Sequence, residues 1–327
     1  RRYYCFINFA QLFSSYTIEP INTLIDWEAL RMFIERKQEG AGRRFYDAIL
    51  MFKMLVLQRF YTISDEELEY QVCNRLDFQR FLGFPNIVPD YTTVWNFREY
   101  LSEANITDLV WGELKRQMKE KGITFSEGKV QDATFIVAQP GKTDSGMNNR
   151  GRGSPSTRNE DGSWSKKNGK SFFGYKEHVK MDLKTGIIEE VAITTASVHD
   201  SQIDLMAPTD VAYRDKGYFG AKTRAKGDGT MKRKVRGQKS LSPHDQLRNK
   251  RISKKRSPGE RPFAVKSRVM KGGFTFLTEM HRVFVQEVIG CFAYNLIQLR
   301  YVLSSEDRAI KNLKKSPAKK LLSEGRN

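Results

Sequence analysis

The chain has 327 residues, of which 39% are hydrophobic and 12% aromatic. This length exceeds one typical domain, and this composition belongs to a globular protein rather than to a disordered one. The formal net charge of +18 favours a polyanionic partner, with nucleic acid as the first candidate. We therefore expect two domains and a nucleic-acid ligand.

The basic charge is concentrated in the last third of the chain. Residues 221–327 hold 27 Lys and Arg against eight Asp and Glu, whereas residues 1–220 hold 29 against 30. A surface that follows phosphates needs concentrated charge of this kind, whereas a generally basic chain spreads it. A disordered basic tail at 304–327 is the alternative interpretation of part of the excess.

Cysteine usage and apolar segments exclude several classes of protein. The three cysteines, Cys5, Cys73 and Cys291, have no metal-ligand spacing, so we expect no structural zinc and a reducing compartment. Polar residues interrupt the apolar segment at 3–13, which is not interpreted as a signal peptide. The uncharged stretch 288–299 is short of the roughly 20 residues that a membrane span needs. We therefore expect a cytoplasmic protein without membrane contact.

Residues 26–122 carry apolar side chains at helical spacing. Ser64, followed by three acids, has the sequence of a helix N-cap, and Asp90 or Thr92 is placed to cap a later helix. These signals predict an all-helical N-terminal domain over residues 1–122. Its role is open between a dimerisation or packing module and a helix-turn-helix that binds DNA.

At Gly128 the pattern changes from helix to strand. The predicted strands are 129–137, 172–183, 187–195 and 211–214. The second and third are joined at Lys184-Thr185-Gly186, a hairpin signal. Between the first two, residues 139–171 are rich in Gly, Ser, Asn and Lys and predict a flexible loop, or one that only a ligand orders.

The remainder of the chain is predicted to be a basic irregular stretch followed by helices. The irregular stretch covers 222–255, and helices are predicted near Glu260 and over 274–303. Strands followed by helices indicate an α/β domain, which we place at 123–303. Residues 304–327 are predicted to be a basic C-terminal tail.

Three acidic residues are candidate metal ligands. Asp132 interrupts a strand expected to be buried, where a carboxylate is costly unless it is paired or bound to a metal. Asp215 follows a short apolar strand, and Glu260 is the single acid between Asp245 and Glu279, in a segment dense with Lys and Arg. Taken singly, the two aspartates are more often a paired core residue and a turn residue. Glu260 is equally consistent with an ion-pair partner and a metal ligand.

Motifs spread over residues 26–303 resemble a known family. They include YDAILMFKMLVLQ at 46–58, ISDEELE at 63–69, VPDYTTVWNFR at 88–98, FGYKEH at 173–178, VHDS at 198–201, DKGY at 215–218 and the segment 256–266. In this order they are similar to bacterial insertion-sequence DDE transposases of family five. The number of separate motifs makes the resemblance specific.

The resemblance implies an RNase H-like catalytic core, a mixed sheet flanked by helices, after the helical N-terminal domain. It implies that Asp132, Asp215 and Glu260 form a DDE triad that binds two Mg²⁺ or Mn²⁺ ions. Oxygen ligands suit Mg²⁺, and two ions about 4 Å apart activate a nucleophile and stabilise the leaving oxygen of an in-line displacement.

The function implied by the resemblance is DNA transposition. Such an enzyme binds the terminal inverted repeats of its mobile element, cleaves the ends and joins their 3′-hydroxyls to target DNA. Because two ends must be held together, we expect a homodimer or a larger assembly on double-stranded DNA. Two alternatives stay open, a transposase-derived DNA-binding regulator that has lost cleavage and a metal-dependent DNA nuclease without strand transfer.

The residues around Glu260 depart from the family pattern, which has a Tyr seven residues before the Glu, an Arg four before it and a Lys seven after it. Only Arg256 matches, and serines occupy the other two positions. Lys266 and Arg268 flank the expected lysine position. On a regular helix, Arg268 lies closer to the face of Glu260 than Lys266 does.

Basic side chains near the three acids are predicted to bind DNA. They are Lys176, His178, Lys232, Arg233, Lys234, Arg236, Lys254, Lys255, Arg256, Lys266 and Arg268. For Lys176 and His178, which share one strand face, a structural role is the alternative. Trp95 is predicted to be a core residue, and Tyr218 is a weaker candidate for stacking on an unpaired base.

Overall fold

The computed structural model describes residues 18–324 apart from 39, 104, 105, 143–158 and 168, with the side chains of 19 and 306–324 also left out. The apolar segment at 3–13 and the central part of the predicted loop at 139–171 therefore lie outside the described residues.

The N-terminal half is helical, as predicted. Its helices are α1 (Glu19–Asn22), α2 (Arg31–Ile34), α3 (Ala48–Tyr61), α4 (Asp65–Asn74), α5 (Leu76–Leu82), α6 (Tyr91–Glu103) and α7 (Ile106–Glu120). The Ser64 hydroxyl caps α4 by accepting from the Glu67 N–H at 3.1 Å. Asp90 caps α6 by accepting from the Thr93 N–H at 2.7 Å, so the cap is Asp90 rather than Thr92.

The second half is built on one mixed sheet. Its strands are β1 (Gly128–Ala138), β2 (Ser163–Lys167), β3 (Lys170–Asp182), β4 (Ile188–Thr195), β5 (Val211–Tyr213), β6 (Gly227–Asp228) and β7 (Phe274–Thr275). The order is β2-β3-β1-β5-β6, with β4 also paired to β3 and β7 to β1. Strand β1 runs antiparallel to β3 and parallel to β5, which makes it the centre of the sheet. The predicted mixed sheet after a helical region is confirmed.

Three helices follow β6 in the chain, and they differ from the prediction. They are α8 (Pro243–Arg256), α9 (Arg261–Ala264) and α10 (Met280–Glu324). Helix α8 occupies the end of the stretch predicted to be irregular, and Ser242 caps it by accepting from the Asp245 N–H at 3.1 Å. Helix α10 begins after β7 and continues through the region predicted to be a tail. Strand β2 lies inside the predicted loop at 139–171.

The larger of two hydrophobic core clusters in the described residues crosses the predicted domain boundary between residues 122 and 123. It joins side chains of α3 to α7 with side chains of β3, β4 and α10. Phe292 of α10 packs edge-on against Phe52 of α3, with ring centroids 5.3 Å apart, and also contacts Trp27 at 6.1 Å. The long C-terminal helix is therefore part of the core of the N-terminal half.

Four buried charged side chains form an ionic network where the two halves meet. Arg59 of α3 donates from Nη2 to Oε1 of Glu287 on α10 at 2.9 Å. Lys266 Nζ lies 2.7 Å from Oε2 of Glu287 and also contacts Glu177 of β3. Burial alone would raise the pKa of Glu287, but attraction to Lys266 and Arg59 outweighs it and lowers the pKa to about 2. The network balances two cations with two anions, so each of the four side chains depends on the others.

We predict that Lys266→Met destabilises the fold by about 3–5 kcal/mol, since it leaves Glu177 and Glu287 as buried charges without their shared cation. Urea unfolding followed by circular dichroism measures the change. Arg268→Met, two residues away and exposed, is the matched control and is expected to stay within about 0.5 kcal/mol of the parent. Equal unfolding midpoints for the parent and Lys266→Met would contradict the prediction.

Candidate active site

Asp132 lies in the middle of the central strand β1, opposite Val179 of β3. Its side chain is 23% exposed, and its Oδ2 accepts from Nη2 of Arg256 at 2.9 Å. Burial raises the pKa of Asp132 to about 6, although Arg256 opposes the rise, and repulsion from Asp215 adds to it. A carboxylate in this position favours a neighbouring cation.

Asp215 lies two residues after the end of β5, the strand that pairs in parallel with β1. The register places Val130 opposite Tyr213, so Asp132 and Asp215 are each two residues further along and lie level on neighbouring segments. Asp215 Oδ1 accepts from the Gly217 N–H at 2.7 Å, which fixes the one-turn helix Lys216–Tyr218. The sheet therefore brings the first two predicted acids together, as their electrostatic repulsion also indicates.

Glu260 ends a 3-10 turn, Ser257–Glu260, that packs on β1. Gly259 makes this approach possible, because a Cβ at that position would lie 2.4 Å from Cγ1 of Val130. Glu260 itself is exposed and makes no ion pair or hydrogen bond with the described residues. Within the described residues, no three His, Cys, Asp or Glu side chains are arranged to hold a metal ion. The backbone at Glu260 is thus held against β1, but its carboxylate does not join the two aspartates.

Arg256, predicted to bind DNA, instead contacts one of the acids. It comes from the last turn of α8, and its guanidinium is the cation beside Asp132. The Nε of Arg256 is buried without a hydrogen-bond partner among the described residues. The side chain therefore has donor capacity beyond its bond to Asp132.

Comparison with known protein families identifies the family to which the chain belongs. Residues 124–296 match the transposase DDE domain, and residues 9–100 match a transposase domain (DUF772). The chain belongs to the DDE transposase family. The mixed sheet flanked by helices is consistent with its RNase H-like core, and the two matches together indicate an insertion-sequence transposase. No solved structure matches the chain.

Membership in the DDE transposase family indicates the general activity of the protein. DDE transposases cleave and transfer DNA, so DNA binding follows from the family, and divalent metal ions are typical of it. Of the described helices, none combines the length and the apolarity that crossing a membrane requires.

Most of the predicted DNA-binding residues of the transposase are exposed. These are Lys232, Arg233, Lys234, Arg236, Lys254, Lys255 and Arg268. Lys232, Arg233 and Lys234 line a cavity of about 600 Å³ together with Lys216, which the sequence reasoning did not select. Because Lys216 directly follows Asp215, this basic cavity adjoins the segment that carries the second acid. Lys216 could have been selected from the sequence, because it belongs to the DKGY motif at 215–218.

Three predicted DNA-binding residues are not accessible to a phosphate. Lys176 is held by the Val198 carbonyl at 2.7 Å and by Asp200 at 2.9 Å. His178 is fully buried against the Thr194 hydroxyl, and burial lowers its pKa to about 4, so it is neutral. Lys266 belongs to the buried ionic network. Neighbouring segments cover these side chains, so their placement supports structural roles and does not fit the predicted DNA contacts.

The solvent exposure of two aromatic residues differs from what the sequence predicted. Tyr218 is 1% exposed and cannot stack on a base in this structure. Trp95, predicted to be a core residue, is 41% exposed on α6. Apolar spacing along α6 did not distinguish Trp95 from its buried neighbours Val94 and Phe97.

We predict that Gly259→Ala lowers DNA cleavage by tenfold or more with little change in DNA affinity. The added methyl group would meet Val130, so the segment carrying Glu260 has to move away from β1, and displacements of about 1 Å at a reacting centre can cost about a hundredfold in rate. Cleavage rates measured on excess DNA test this. Gly112→Ala is the control, since its Cβ would meet nothing within 4 Å.

A second change separates this steric effect from other effects of Gly259→Ala. Val130→Ala removes Cγ1, the nearest atom that the new methyl group would meet, and leaves only Cβ at 3.2 Å. The double variant is therefore expected to recover part of the lost rate. Unchanged cleavage by Gly259→Ala alone would show that the contact with β1 does not position Glu260.

Proposed function

We propose that the protein is a transposase of the family-five insertion-sequence type that binds the terminal inverted repeats of its element. It cleaves the ends and joins their 3′-hydroxyls to target DNA by two-metal phosphoryl transfer. The observation that carries the proposal is the level placement of Asp132, on β1, and Asp215, two residues after the end of the parallel strand β5. The segment of Glu260 packs on the same central strand.

The two aspartates fit a divalent ion because they supply oxygen ligands in a place where negative charge is unfavourable. Burial and the neighbouring Asp215 raise the pKa of Asp132, and a cation would relieve both effects. Asp132, Asp215 and Glu260 would hold Mg²⁺ or Mn²⁺. Such ions supply activation of the attacking water or 3′-hydroxyl and stabilisation of the leaving oxygen.

The side chains of Glu260 and Arg256 are both available to complete the site. Glu260 has no ion pair with the described residues, so recruiting its carboxylate breaks no contact. Arg256 holds Asp132 through one nitrogen and has further donors, so its guanidinium would be available to a DNA phosphate if Asp132 held a metal ion instead.

The exposed basic residues of 232–236, 254–255 and Arg268, together with the cavity at Lys216, supply phosphate contacts for double-stranded DNA beside the acids. Holding two element ends together calls for a homodimer or a larger assembly. A cytoplasmic, nucleoid-associated location is the expectation that follows.

A DNA-binding regulator without cleavage activity is the second candidate. It is favoured by the ion pair between Arg256 and Asp132 and by the position of Glu260 apart from the aspartates. A nuclease that cuts without joining would share the acids and differ in its products.

We predict that Asp132→Asn, Asp215→Asn and Glu260→Gln each reduce Mg²⁺-dependent cleavage at least a hundredfold and leave DNA binding within about threefold. Loss of one metal ligand removes stabilisation that is needed mainly in the transition state. The measurement uses full-length protein and duplex DNA carrying the inverted repeats that flank its gene. Gels report nicked and joined products, and fluorescence anisotropy reports binding.

Glu127→Gln, an exposed acid that pairs with Lys226 just before β1, is the matched control and should cleave like the parent. If all three acid variants cleave normally, the triad assignment is wrong. Binding by the parent without any cleavage would establish the regulator, and nicked products without joined ones would establish the nuclease.

We also predict that the combined change Lys232→Gln, Arg233→Gln and Lys234→Gln weakens DNA binding in a salt-dependent way. Each phosphate contact contributes about 0.9 to the slope of log affinity against log salt concentration, so losing two or three contacts should lower the slope by about 2 to 3. Lys119→Gln with Lys121→Gln, two exposed lysines near the end of α7, should leave the slope unchanged. An unaltered slope for the triple variant would show that the three residues lining this cavity do not contact DNA phosphates.

A further inference from the structure

A two-stranded ribbon projects from one end of the mixed sheet. Strand β1 pairs with β3 only as far as Gly174, and β4 pairs with β3 from Tyr175 onward. Among the described strands, β2 alone pairs with the residues of β3 that precede Gly174. We call this segment the basic ribbon and define it as β2 (Ser163–Lys167) together with residues 170–173 of β3.

The basic ribbon carries positive charge without a matching negative charge. Residues 163–171 contain three lysines and no Asp or Glu. Lys166, Lys167 and Lys170 are all exposed, and none of them forms an ion pair with a described residue. The three charges are therefore available to an anionic ligand.

The basic ribbon bends toward β1 at Gly174. This glycine has a φ of +137°, and a Cβ at this position would collide with the Ile136 carbonyl oxygen, so only glycine fits the bend. Phe172 is four residues along β3 from the partner of Phe135, a distance of about 13 Å in an extended strand. The two rings nevertheless stack with their centroids 5.0 Å apart. The ring contact therefore holds the ribbon against the sheet.

The bend brings Lys167 toward the acids. Its Nζ lies 5.8 Å from the centroid of the Phe135 ring, and Phe135 is three residues after Asp132 on β1. Burial raises the pKa of Asp132, and Lys167 joins Arg256 among the cations that oppose the rise. The basic ribbon therefore places a positive charge near the first of the acids proposed to hold metal.

The order of the strands separates the basic ribbon from the basic cavity at Lys216. Strands β3 and β2 lie on one side of β1, whereas β5 lies on the other side. Lys216, which lines the cavity, comes directly after Asp215 on the β5 side. Asp132 and Asp215 therefore lie between two basic surfaces. In the proposed function, joining brings two duplexes together at these acids, the element end and the target.

We infer that the basic ribbon binds target DNA and that Lys167 holds a target phosphate beside the acids. The major groove of a DNA duplex admits a two-stranded β-ribbon. Lysine binds phosphate as a point charge, and phosphate contacts carry no sequence information. The element end has to be recognised by its sequence, so a ribbon of lysines fits the target better. The inference rests on the proposed function and adds the surface that captures the second duplex.

The test assembles full-length protein on pre-cut duplexes that carry the inverted repeats flanking its gene, and then adds a labelled duplex of unrelated sequence with Mg²⁺. Anisotropy measures capture of the unrelated duplex at several salt concentrations, and gels measure joined products. The combined change Lys166→Gln, Lys167→Gln and Lys170→Gln should weaken capture about tenfold or more and lower the salt slope by about 2 to 3. Affinity for the element-end duplex should change by less than about twofold.

A single change tests the position of Lys167. Lys167→Gln should raise the concentration of unrelated duplex that gives half-maximal joining by about fivefold, the effect of losing one contact. Lys167→Arg keeps the charge and should restore the parent value. Lys184→Gln is the matched control, because Lys184 is an exposed lysine in the turn at the other end of β3. It should change neither capture nor joining.

The inference is overturned if the triple variant captures the unrelated duplex like the parent, or if the parent captures none. It is also overturned if the triple variant loses affinity for the element end to the same extent, since the ribbon would then hold the end rather than the target. Capture that depends on the ribbon but yields no joined product would leave the inference standing and remove the proposed strand transfer. Joining by the parent with an unaffected triple variant would do the reverse.

Discussion

The buried network of Arg59, Glu177, Lys266 and Glu287 is the constraint on which the rest of the structure depends. Its members come from a helix of the N-terminal half, the sheet, the segment after Glu260 and the long C-terminal helix. Charges buried to this degree are tolerated only when every partner is present. The two halves therefore cannot separate without exposing the network to water or leaving charges unpaired, and the shared aromatic core around Phe292 adds to the same coupling.

The network also bears on the position of Glu260. Lys266 anchors the π-helical segment Val265–Val269 on one side of this residue, and the contact of Gly259 with Val130 anchors the other. Between the two anchors the backbone is fixed, while the carboxylate stays exposed. A restrained backbone with an unpaired side chain suits a ligand that has to turn toward the two aspartates, as the proposed mechanism requires.

The sequence predicted those features that local chemistry determines. Ser64 and Asp90 cap helices because their oxygens satisfy N–H groups nearby, and Asp132 could be placed within a strand by its apolar flanks. Helix α8 was missed because it buries few apolar side chains, although Ser242 and Pro243 carry a recognisable start signal.

The site was harder to predict, because it depends on long-range packing. The level placement of Asp132 and Asp215 follows from the register of two strands far apart in sequence. The comparison of Lys266 with Arg268 assumed a regular helix after Glu260, whereas the chain passes from a 3-10 turn through α9 into a π-helix. The 3.6-residue periodicity does not hold across that change. Strand β3 lies inside the sheet and both of its faces are covered, which favours the structural role that was the alternative for Lys176 and His178.

The position of Asp132 favours a cation at the centre of the sheet. Its carboxylate is mostly removed from water and repelled by Asp215, so without a positive neighbour it would take up a proton near neutral pH. Arg256 supplies that charge and comes from the same chain segment as Glu260. An arginine in this position opposes the rise in the pKa of Asp132. In the proposed mechanism, the ion pair between Arg256 and Asp132 therefore stabilises the charge on Asp132, and it has to break before the site can act.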